Sequence, residues 1–157
     1  MAIDEVREYL RRFNRDRDII ELAASTATVA EAAAAMGVRP ARIAKSLSLS
    51  AGSGALIVVT AGDMKLDNRK YKDYFGLKAK MLSSDEALNF TGHPVGGVCP
   101  FALPPGVAVY LDVSLKRFDT VFPACGSAHS AIELTPAELE ALTPNSSWAD
   151  LCRPLET

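Results

Sequence analysis

A chain of 157 residues with 48% apolar and 23% charged side chains has the composition of one folded domain, able to bury roughly 70% of its unfolded surface. A formal charge of −2 argues against indiscriminate coating of nucleic acid, and three widely spaced cysteines (Cys99, Cys125 and Cys152) argue against a disulfide framework or a zinc finger. No apolar run is long enough for a bilayer, and Met1-Ala2-Ile3-Asp4-Glu5 lacks the order of a signal peptide, so the expected location is cytoplasmic, with no membrane partner.

Ile3, Val6, Leu10 and Phe13 follow helical spacing and predict an amphipathic helix over residues 2–14. Asp18 to Leu22 reads as a short strand. Thr28-x-x-Glu31 is a capping box for a helix that stops at Gly37, and Pro40 suits the first turn of a short helix to about Lys45. A hairpin follows, Ser46 to Ser50 and Ala55 to Thr60, around Ala51-Gly52-Ser53-Gly54. Asp67 caps a helix ending at Gly76, Lys78 to Leu82 reads as a strand, and Ser83-x-x-Glu86 caps a helix that stops at Gly92. Val107 to Leu111, Thr120 to Pro123 and Ser130 to Leu134 are strand candidates, and Thr135-Pro136-x-Glu138 opens a last helix. Strands mixed with helices and joined by short turns predict an α+β domain with a mostly antiparallel sheet, spanning residues 1–157 as one unit.

Between Lys65 and Lys80 the chain carries Lys65, Arg69, Lys70, Lys72, Lys78 and Lys80 against only Asp67 and Asp73. That edge suits a phosphate backbone, although charge alone reads more simply as a solvated helix face.

Thr91-Gly92-His93-Pro94-Val95-Gly96-Gly97-Val98-Cys99-Pro100-Phe101 holds three glycines and two prolines, a composition incompatible with a regular helix or a central strand. Such a segment makes a stiff loop whose backbone can approach a ligand closely. Within it His93 is open to two readings, a ligand contact or a bond to its own turn. Lys45, at an element junction, could pin a phosphate or carbonyl, or simply snorkel. Cys99 and Cys125 read first as small buried apolar residues, and Asp112 as a structural cap. The segment from Ala124 to Ser130, through Cys125 and Gly126, is either a second wall of the same pocket or a turn.

Taken together, Lys45-Ser46-Leu47 before a hairpin, the glycine loop, Tyr110-Leu111-Asp112, and Gly126 leading to Ile132-Glu133-Leu134 resemble the YbaK/ProX family, freestanding relatives of the editing domain of bacterial prolyl-tRNA synthetases. The resemblance implies a mixed, barrel-like sheet flanked by helices, and a monomer without metal or other cofactor. It also implies hydrolysis of an amino acid wrongly esterified to tRNA, most often tRNA(Pro). Lys45 matches the functional lysine beside the ester. Gly92, Pro94, Gly96 and Gly97 match the acyl-holding loop, in which His93 falls at a position that varies between subgroups and Val95, Val98 and Cys99 are the expected pocket walls; Asp112, Cys125 and Gly126 are expected at the substrate too, and Lys65, Arg69, Lys70 and Lys72 on the tRNA backbone. The implied partners are the aminoacyl-tRNA acceptor end and a prolyl-tRNA synthetase. Cys99 stands where serine is common, and Ala124 and Ala131 stand where the cysteinyl-tRNA(Pro) deacylase subgroup has serine and aspartate, which leaves the amino acid removed open. Two rival classes are a non-catalytic module binding the acceptor end or a synthetase, and a cysteine-dependent hydrolase of small esters or thioesters.

Overall fold

The computed structural model describes residues 2–155. Its centre is a curled mixed sheet built on the hairpin of β2 (Ile43–Ser50) and β3 (Ala55–Ala61), which pair antiparallel from Ala44↔Ala61 to Ser50↔Ala55. Upstream of them in the chain lie α1 (Ala2–Arg11), β1 (Ile20–Glu21) and α2 (Val29–Met36). Downstream come β4 (Met64–Leu66), α3 (Asn68–Phe75), α4 (Ser84–Thr91), β5 (Ala108–Asp112), β6 (Phe122–Pro123), β7 (Ser130–Ala131), α5 (Pro136–Leu142), β8 (Ser146–Ala149) and β9 (Cys152–Pro154). The central order is β6-β2-β3-β5-β8, and β2–β6, β3–β5 and β5–β8 are all parallel. The small pairs β1–β7 and β4–β9 are antiparallel.

Every residue of β3 is buried because the sheet is covered on both faces. Ile57, Val59 and Ala61 face one core with Val6, Leu10, Phe101 and Leu139, while Leu56 and Val58 face a second with Leu49, Tyr71 and Leu151. Val6 and Leu10 are fully buried, so α1 is fastened by side chains worth about 1.5–3 kcal/mol each. Thr28, Asp67, Ser83 and Thr135 cap α2 to α5 as their sequence pattern requires, and α4 and α5 carry complete capping boxes.

The fold class stands, with nearly as much parallel as antiparallel pairing because crossover segments, not hairpins, bring β5, β6 and β8 to the sheet. The first helix ends at Arg11, and Asp16–Asp18 is a 3-10 turn that leaves only Ile20–Glu21 extended. The turn at Pro40 stops at Arg42, so Lys45 is the third residue of β2 and not the end of a helix. Residues 78–82 form no strand of their own; Met81 makes a single bridge to Leu49. No helix among the described residues is long and apolar enough to cross a membrane.

Candidate functional site

The outer side of β2, the loop before α2, the start of α4 and the glycine loop enclose a cavity of about 240 Å³. Lys45, Ser46 and Ser48 line it from β2, Thr26 and Thr28 from the segment leading into α2, and Val95, Gly96 and Val98 from the glycine loop. Lys45 is half-buried; loss of water pushes its ammonium pKa down, and the Cys152 thiol and the Asp63 carboxylate pull the other way. Strand alternation places Lys45 opposite Thr60 and turns Ser46 and Ser48 to the other face, toward Val59 and Ile57.

Local packing makes the loop rigid. α4 ends at Gly92, and the Thr91 hydroxyl receives the His93 N–H at 3.2 Å. Gly97 N–H donates to the Pro94 carbonyl at 3.0 Å. Gly96 and Gly97 have no room for a side chain: a Cβ on Gly96 would lie 2.9 Å from the Ala27 Cβ, and one on Gly97 would lie 2.6 Å from the Ser127 nitrogen. The loop is thus wedged between the segment before α2 and the turn at 126–128, which holds Val95 and Val98 at the cavity wall.

Several residues assigned to the substrate by sequence lie elsewhere. His93 is 1% exposed; its Nε2 lies 2.7 Å from the Phe101 carbonyl and can only donate to it, so Nδ1 is left without a proton and, buried, without a partner. The imidazole therefore closes the loop from behind, and burial pushes its pKa down. Cys99 and Cys125 are fully buried in the core, and burial pushes the Cys99 thiol up to about 12 and that of Cys125 well above its ordinary value. A nucleophilic thiolate at either position is disfavoured on that ground. Asp112 is also buried: Oδ1 accepts the Leu151 N–H at 2.8 Å and Oδ2 the Ser114 N–H at 3.0 Å, the capping role that its residue type suggests. Gly126 faces α1, where an added Cβ would lie 3.0 Å from Ala2 backbone atoms, and Gly92, Pro94 and Gly97 shape the loop without lining the cavity. From the second small-residue segment, Ala124 and Ser130 do line it.

The basic group divides. Arg69 and Lys72 are exposed on α3, whereas Lys70 reaches Asp150 at 2.9 Å and the Cys152 carbonyl at 3.0 Å, and Lys65 sits on β4 opposite Arg153. Sequence reasoning passed over Ser46, Ser48, Thr26 and Thr28. The alternation Ser46-Leu47-Ser48-Leu49 carries a signal for the first two, since it puts both hydroxyls on one face, whereas nothing local marks the threonines.

The chain and its fold have counterparts among known proteins. The aminoacyl-tRNA editing domain matches residues 23–142. The chain belongs to that family. It is 52% identical to the uncharacterized protein YwhH of Bacillus subtilis (strain 168) over 99% of this chain and 100% of that one. It is 33% identical to a proline–tRNA ligase of Pelobacter propionicus over 57% of this chain, but that match spans only 16% of the ligase. A solved structure of a candidate trans-editing enzyme for prolyl tRNA synthetase superposes with a TM-score of 0.87 at 31% identity, covering 97% of each chain.

Proposed function

We propose that this chain is a trans-editing deacylase that hydrolyses the 3′-ester of mischarged aminoacyl-tRNA, with tRNA(Pro) as the preferred carrier. The observation that carries the reading is one cavity of about 240 Å³, lined by Lys45 and by the glycine loop, both within the stretch that matches the editing domain. That volume lies below the common small-molecule range of about 300–1,000 Å³, which suits a small acyl group with the terminal adenosine at the mouth. An aminoacyl ester is already activated, so water can attack once the carbonyl is fixed and its developing charge is met. The rigid loop fixes the acyl group, and the partly desolvated Lys45 ammonium stabilises the negative charge and the acceptor end. Exposed Arg69 and Lys72 would meet the tRNA backbone. A small pocket discriminates one methylene by only about 1–3 kcal/mol, which is why a second hydrolytic sieve is useful.

The test is a panel of mischarged tRNAs carrying alanine, cysteine, serine, threonine or 2-aminobutyrate, with ester loss followed over time. Release above the spontaneous rate supports the reading. Binding of aminoacyl-tRNA with no release from any member would refute it in favour of a non-catalytic acceptor-end module.

A further inference from the structure

The outer edge of β2 is interrupted around Ser46. The Ser48 carbonyl accepts the Leu82 N–H at 3.0 Å, and the Ser50 N–H donates to the Lys80 carbonyl at 2.8 Å. Even-numbered residues of β2 therefore turn their main-chain groups away from β3, toward the outside of the sheet. At the other end, β6 occupies that outer edge only at Ile43 and Ala44. Ser46 falls between the two and pairs with neither. Its hydroxyl is also buried without a hydrogen-bond partner, and the residue lines the cavity. Ser46 thus offers a main-chain donor and acceptor to whatever occupies that space, with its own unpaired hydroxyl and the Ser48 N–H beside them. Buried polar groups left unpaired cost about 1–3 kcal/mol each, so the cavity is built for a polar ligand.

An α-aminoacyl ester carries a donor and an acceptor on the two sides of one tetrahedral carbon, the same arrangement as the N–H and C=O of a single strand residue. We propose that the aminoacyl group binds Ser46 as a β-strand one residue long. Its ammonium donates to the Ser46 carbonyl, its ester carbonyl accepts the Ser46 N–H, and the Ser46 hydroxyl oxygen accepts a hydrogen bond from a second ammonium N–H. Directly paired residues of an antiparallel ladder put their side chains on one face, so the acyl side chain enters the cavity on the side of Ala44 and Ser48. When water adds to the ester carbon, the carbonyl oxygen becomes an alkoxide already facing the Ser46 N–H. Collapse of that intermediate breaks the bond to the ribose 3′-oxygen, which leaves with the proton that water gives up. Ser46 then both selects a free α-amino group and stabilises the transition state.

This inference rests on the editing reading for its substrate, and its test is separable from that reading. The 15N-labelled full chain is titrated with 3′-deoxy-3′-alanylaminoadenosine, whose amide resists hydrolysis and keeps the ammonium and carbonyl. Saturable binding with a large downfield shift of the Ser46 amide proton is expected, lost with the N-acetylated analogue. Ser46→Ala should bind the analogue about tenfold more weakly, and Ser46→Thr should restore affinity, as expected for one hydrogen bond to a charged group. Saturable binding that leaves the Ser46 amide unmoved, or no saturable binding, overturns the proposal. A wild-type chain inert on every mischarged tRNA would remove the editing reading while the titration still decides the pairing at Ser46.

Discussion

Replacing Gly97 by alanine tests whether the glycine loop is held by close backbone packing. A Cβ there would lie 2.6 Å from the Ser127 nitrogen, 2.7 Å from the Gly126 carbonyl carbon and 2.8 Å from the Ser127 Cα. Ordinary carbon contacts sit at about 3.5–4.0 Å, so the new methyl overlaps three backbone atoms, none of which can swing aside as a side-chain tip would. Overpacking of this kind costs about 1–3 kcal/mol, and in a domain of this size each kcal/mol lowers Tm by about 2–4 °C. Gly97→Ala should therefore melt about 2–12 °C below the native chain in a calorimetric scan. It should also lose deacylation well below its own Tm, because the loop can relieve the clash only by moving Val95, Gly96 and Val98 at the cavity wall. Gly54→Ala, where a Cβ meets nothing within 4 Å, is the control and should melt within about 2 °C of the parent. A Gly97→Ala protein with parental Tm and parental activity would refute the argument that this loop is wedged.

Lys45→Ala should lower deacylation by about 10²–10³-fold with Tm unchanged or slightly raised, since it removes a charge that burial disfavours; parental turnover would end its assigned role. Because that burial lowers the Lys45 pKa, activity that needs its ammonium should fade with rising pH before the ordinary lysine range of about 10.4, measurable as an alkaline limb absent from residual Lys45→Ala turnover. Asp112→Asn turns an NH2 group toward a backbone N–H and should cost about 1–3 kcal/mol in urea unfolding, with kcat nearly unchanged, whereas a substrate contact would show the reverse. The neutral, buried His93 binds its proton less readily than in the unfolded chain. Below about pH 6.5 the unfolded state therefore binds more protons and stability falls as pH drops; His93→Gln should flatten that limb in urea titrations at pH 5 and 7.

The sequence was most legible where chemistry is local. Thr28, Asp67, Ser83 and Thr135 announce their helices because a cap needs only a hydroxyl or carboxylate three residues before an amide. The β2–β3 hairpin was readable from its turn and its apolar run. The parallel ladders were not, since register across a crossover depends on contacts between distant residues such as Val59 and Leu111. Lys45 and the loop residues Val95, Gly96 and Val98 do line one cavity, whereas His93, Cys99, Cys125 and Asp112 are buried outside its lining. Spacing alone cannot say which side of a loop faces the ligand and which faces the core. The short strands β8 and β9 passed unnoticed because Ser146–Ala149 and Cys152–Pro154 are too brief to show alternation.

The break in the rail of β2 has a consequence for what the protein refuses. A polypeptide that extends a sheet needs several successive residues of free edge, and this one is fenced by Pro123 on one flank and by the Lys80–Leu82 segment on the other. Under the proposed pairing at Ser46, such a notch would admit a lone amino acid on a nucleotide and turn away a nascent chain or a peptide. The same fence denies neighbouring copies a place to stack, so a gap that leaves hydrogen bonds unsatisfied need not become a seed for aggregation.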